Sequence, residues 1–107
     1  MAGRPTKLTP ALKTQLISYL SNGNTIKDSC LAVGISQQTF ENWMNRGEKE
    51  QKGVYFRFYM AVKKAQANFE IYCLNIINRA SIRNWRAAAW ILERRYPERW
   101  GRRRTLL

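Results

Sequence analysis

The segment SQQTFENW, Ser36 to Trp43, sets two neighbouring glutamines and an asparagine among large apolar side chains. Amide side chains donate and accept hydrogen bonds at once. Gln or Asn can therefore bond adenine at N6 and N7 as a pair, while Glu can accept from cytosine N4. On a helix, Phe40 and Trp43 would face inward with Ile35, leaving Gln37, Gln38, Glu41 and Asn42 outward. Ser36, Gln37 and Gln38 would form its N-terminal end, the part that a DNA-reading helix sends into the major groove. The plainer reading is a polar helix start that faces water.

Other chemistry has no visible seat. The chain has no His. Its one Asp, Asp28, falls in a capping position, and Glu48 and Glu50 do not form a metal cluster. No GxxxxGK[ST] phosphate loop is present. Cys30 and Cys73 are far apart and make no CxxC pair, so neither zinc nor a disulfide framework is expected. The reading is a non-enzyme with no metal and no cofactor. Two unpaired cysteines fit a reducing, cytoplasmic setting.

Charge points the same way as the amides. Nineteen Lys and Arg face seven Asp and Glu, a net +12 with a pI near 10.4. Residues 79–107 hold nine of the basic groups and only two acidic ones. Such a field attracts polyanions, nucleic acid first and anionic membrane second. Arg4 sits in Gly3-Arg4-Pro5, an extended arm with Lys7 close behind. A narrow A·T minor groove concentrates negative potential and draws in an arginine of this kind. Arg102, Arg103 and Arg104 make a second basic run for phosphate contact. There is no run of 18 apolar residues, and MAGRPTKLTP lacks the apolar stretch of a signal peptide, so no membrane partner is expected.

Elements must hold these groups in place. Thr9-Pro10 reads as a cap and first residue of a helix that Ser21-Asn22-Gly23-Asn24 stops. Thr25 caps a second helix, with Asp28 three residues on, and Gly34 ends it. Ser36 caps a third helix, expected to end at Arg46-Gly47. Two short helices joined by a tight glycine turn form the helix-turn-helix unit, and small Cys30 would let them cross closely. Thr39 and Arg46 join Ser36, Gln37, Gln38 and Asn42 as candidate DNA contacts.

Residues 48–53 read as a charged, flexible linker. A long helix should follow from about Tyr55 to about Ser81, spanning about 40 Å. Its apolar positions Phe58, Val62, Ala65, Phe69, Tyr72 and Ile76 are spaced 4-3-4-3-4, a heptad seam. The three-helix reader buries its own apolar set on this reading. Phe58, Val62, Phe69, Tyr72 and Ile76 can pack within the chain against the first and last helices, the default for an apolar stripe, or pair with other copies. A helix this long, with one shorter helix left to cover it, favours pairing. A last helix is expected from Trp85 to Arg95, capped by Asn84 and ended by Pro97, with Trp85 in a core beside Ala89 and Leu92. The predicted class is all-α. The arm covers 1–8, the reader 9–47, the helical oligomerisation region 54–96 and a mobile basic tail 97–107.

Two resemblances add to this. The Gly-Arg-Pro arm before a three-helix reader resembles the DNA-binding part of the Hin-type invertases. The stretch from GRPTKLTP to NRGE, followed by RNWRAAAWILERRYPERWGRR, resembles phage and prophage proteins of the terminase small subunit type over about residues 3–103. WRAAAWILERRYPERWG is its most distinctive part. The resemblance implies a homo-oligomeric ring that binds viral double-stranded DNA at a packaging site and delivers it to a terminase large subunit. It implies the cytoplasm of a bacterial host. It also places the helix-turn-helix on 25–46 and the oligomerising helices on about 55–95. The alternatives are a dimeric transcriptional or transposition regulator with the same reader, and a basic protein of the membrane surface.

Overall fold

The computed structural model describes residues 8–101. They form six helices: α1 (Pro10–Ser21), α2 (Ile26–Val33), α3 (Gln37–Glu50), α4 (Gly53–Ala80), α5 (Trp85–Arg95) and α6 (Pro97–Trp100). No strand occurs among the described residues, so the all-α class holds.

Helix starts follow the expected caps. Thr9 Oγ1 accepts from the Leu12 N–H at 3.2 Å, with Pro10 as first helical residue. Thr25 Oγ1 accepts from the Asp28 N–H, and Ser36 Oγ from the Thr39 N–H, both at 3.0 Å. Asn84 Oδ1 accepts from the Arg86 N–H at 3.0 Å. Each bond satisfies a donor that the first helical turn leaves unpaired, an effect worth about 1 kcal/mol. Gly34 takes φ 83°, the left-handed region, and the N–H groups of Gly34 and Ile35 both donate to the Cys30 carbonyl. That wrap turns the chain sharply between α2 and α3, where a side chain would cost strain.

The end of α3 departs from expectation. It does not stop at Arg46-Gly47 but continues to Glu50, so most of the expected linker 48–53 is helix. Only Gln51 and Lys52 separate it from α4. Gly47 is buried, and a Cβ there would meet the Tyr55 carbonyl oxygen and lie 2.8 Å from Tyr59 Cβ. The glycine serves close approach to the start of α4 rather than a helix stop. Gln51, at φ 59°, does the stopping.

The chain divides into two compact units, one ending at Glu70 and the other beginning at Ile71. The first has a continuous core of Leu16, Leu20, Cys30, Ile35, Phe40, Trp43, Phe58, Val62 and Ala65. Phe58 stands edge-on to Phe40 at 5.7 Å and to Trp43 at 5.6 Å between ring centroids. Such pairs add about 0.5–1.5 kcal/mol beyond burial of area. The three N-terminal helices therefore do not complete a core alone. The first half of α4 supplies Phe58, Val62 and Ala65 to it. Phe69 lies against the turn after α1, where a Cβ on Gly23 would come within 2.5 Å of its ring.

The second unit has no buried residue among those described. Trp85, expected in a core with Ala89 and Leu92, is 70% exposed, while those two are half-buried. α5 packs with α6. α6 itself replaces the first part of the expected mobile tail. No helix among the described residues is long and apolar enough to cross a membrane.

Candidate nucleic-acid interface

α3 is built as two faces. Phe40, Trp43 and Gly47 are buried, following the three- and four-residue spacing of one helical face. The opposite face exposes Gln37, Gln38, Glu41, Asn42, Asn45 and Arg46. Asn45 is an addition to the residues expected on this face. It follows Glu41 by four positions and Gln38 by seven, so helical spacing alone is enough to find it.

The amides on this face are organised. Gln38 Nε2 donates to Asn42 Oδ1 at 2.9 Å. That bond uses one of the two Gln38 N–H groups and none of its Oε1 lone pairs. The Gln38 amide keeps one N–H donor and its Oε1 acceptor, the two kinds of group that an adenine edge calls for. Asn42 keeps both donors of its own amide. Holding Gln38 to Asn42 also restricts its rotamers before any partner arrives.

Ser36 and Thr39 are engaged otherwise. The Ser36 hydroxyl caps α3 and donates to Thr39 Oγ1 at 2.9 Å. Both therefore work first on the helix start. Arg46 pairs with Glu50 through Nε and lies 4.2 Å over the Tyr55 ring. The Glu50 hydrogen bond raises the Arg46 pKa further above its ordinary value. The pair is solvent-exposed, where such contacts are weak, so Arg46 can exchange Glu50 for another anion at little cost.

The charge is not where the amides are. Between residues 8 and 50, four basic side chains meet four acidic ones. The excess lies further along: Lys52, Arg57, Lys63 and Lys64 against Glu70, then six arginines against Glu93 and Glu98 between 71 and 101. Arg4, Lys7, Arg102, Arg103 and Arg104 lie outside the described residues.

The expected oligomer seam is split. Phe58 and Val62 are fully buried in the chain's own core, and Phe69 is half-buried against the Gly23 turn, so these three are not free for a partner. Their heptad spacing is the same whether the facing surface is another copy or this chain's own α1–α3. Tyr72 and Ile76 remain exposed, joined by Ile71 and Leu74. Comparison of the chain with protein-family models, curated proteins and solved structures found no match.

Proposed function

We propose that this chain binds double-stranded DNA through a helix-turn-helix formed by α2, the Gly34 turn and α3. The outer amides of α3 read bases in the major groove. One observation carries the reading: Gln37, Gln38, Asn42 and Asn45 share one exposed face over a packed core, with the Gln38 amide already oriented by Asn42. Amides read bases but supply little attraction to phosphate. Affinity is then drawn from the basic groups outside residues 8–50, the Arg4 arm included.

The small-terminase resemblance extends this to viral genome packaging by a homo-oligomer that hands DNA to a large subunit. Exposed Ile71, Tyr72, Leu74 and Ile76 favour self-association, since water contact with so much apolar surface is costly. Several readers held together gain avidity without new contacts.

Selection from a randomised duplex pool, followed by titration of the selected site, tests the reader. Gln38→Ala should weaken the selected site by about 1–3 kcal/mol and leave random duplex nearly unchanged. Equal loss on both would reduce the amide face to backbone contact. Sedimentation of the full chain tests the assembly. A species above a dimer fits packaging, a dimer fits a regulator, and a monomer at micromolar concentration removes the ring.

A further inference from the structure

The second unit carries a row of aromatic side chains in water, each with an arginine against its ring. The Arg86 guanidinium lies 5.4 Å from the Trp85 centroid, Arg94 4.8 Å from Trp90, and Arg99 5.8 Å from Tyr96. All three rings are exposed. Two open clefts adjoin at Trp90. One, of about 280 Å³, is lined by Trp85, Arg86, Ala89, Trp90 and Glu93. The other, of about 540 Å³, is lined by Trp90, Glu93, Arg94, Pro97 and Gly101. The α3 reader uses none of these residues.

We propose that this α5–α6 surface binds unpaired nucleotides of a single-stranded nucleic acid, with bases stacked at Trp85 and Trp90 and phosphates held by Arg86 and Arg94. The chemistry is complementary in both parts. An exposed ring takes a base face, and the arginine now resting on that ring is freed to meet a phosphate. Cation–π contacts at exposed sites are weak, so the exchange is easy. Glu93, half-buried where the clefts meet, is an acceptor for a base N–H, which a plain polyanion lacks. Duplex DNA fits less well, because its neighbours cover both faces of every base. A second copy of the chain also fits less well. It would set the four arginines of α5 and α6 (Arg86, Arg94, Arg95 and Arg99) against the same four, across a surface with only two carboxylates per copy. The inference goes beyond the duplex reader on α3 and does not depend on it.

Titration of the full chain with a short oligothymidylate, read by intrinsic tryptophan fluorescence, tests it, with heparin as a base-free polyanion. The expected result is quenching by the oligonucleotide, weakened about tenfold by Trp90→Ala, the scale of one lost base–aromatic stack. Trp90→Phe keeps an aromatic face and should keep most of the affinity. Thermal melting of both variants should match the parent, since Trp90 is half exposed. Gln38→Ala should leave oligothymidylate binding intact even if duplex binding is lost, which separates the two surfaces. Three outcomes overturn the proposal: equal affinity of Trp90→Ala and parent, quenching by heparin as strong as by the oligonucleotide, or a fall in the sedimenting mass of Trp90→Ala, which would make the surface a contact between copies.

Discussion

Phe58 and Trp85 are both large aromatic side chains near the start of a helix, and they end in opposite surroundings. Phe58 is fully buried, edge-on to Phe40 and Trp43, in the unit that ends at Glu70. Trp85 is 70% exposed, in a unit where no described residue is buried. The difference is not hydrophobicity, since the second unit holds Trp85, Trp90, Trp100, Ile71, Leu74 and Ile82. It is the presence of a facing layer. α1, α2 and α3 surround the first half of α4, whereas no described side chain of the second unit is enclosed to that degree, and the α6 that packs on α5 is four residues long. An apolar side chain becomes core when other elements enclose it, and stays in contact with water when they do not.

The sharpest way to break this comparison is to truncate both rings. Phe58→Ala should cost about 3–5 kcal/mol, the range for a large aromatic removed from a packed core. Trp85→Ala should fall within about 0.5 kcal/mol of the parent, as at an exposed site. Urea denaturation followed by circular dichroism measures both. Similar losses would mean that the second unit hides a core of its own.

A smaller effect sharpens the role of the first half of α4. Gly47→Ala gains helix propensity of about 1 kcal/mol. It also drives a methyl group into the Tyr55 carbonyl, a backbone atom that cannot step aside as a flexible side chain can. Overpacking of this kind costs about 1–3 kcal/mol, so the net change should be destabilising. A stabilised Gly47→Ala protein would show that α3 and α4 do not meet there.

The two cysteines give the smallest effect and a direct probe of each unit. Cys30 is buried in the first, and Cys73 is half-buried in the second. Burial pushes the Cys30 thiol above its ordinary value, since the thiolate would lose its hydration. Native alkylation should therefore label Cys73 and spare Cys30 until the chain unfolds. The folded state holds the Cys30 proton more tightly than the unfolded state does. Its contribution to stability is intact below the ordinary thiol range and is lost as pH rises through and above it. Mass spectrometry of the labelled peptides and denaturation across that alkaline window check the two halves of this statement. Early labelling of Cys30 would show that the first unit opens readily.

Much of the candidate site is legible in the residue order. The Ser36 cap, the Gly34 turn, the inward Phe40 and Trp43 and the outward Gln37, Gln38 and Asn42 all follow from spacing within one helix. Asn45 is legible by the same spacing, although the expected set omits it. The bond between Gln38 and Asn42 is not legible, because two amides four residues apart can equally point to water. Nor is the occupation of Arg46, which depends on Tyr55 in the next helix as well as on Glu50.

Residue order by itself determined where most helices begin and which class of fold they make. A cap such as Thr25 acts on an N–H three residues away, and a turn such as Gly34 acts through its own φ, so neither needs a distant partner. It also determined the basic excess, which is a count of side chains. The tertiary structure decided which apolar stripes became core. The stripe from Phe58 to Ile76 is regular throughout, yet its first members are buried and its last are exposed. What separates them lies elsewhere in the chain: Phe40 and Trp43 against Phe58, the Gly23 turn against Phe69, and no described side chain that buries Tyr72 or Ile76. Periodicity specifies a face, and only packing specifies what meets it.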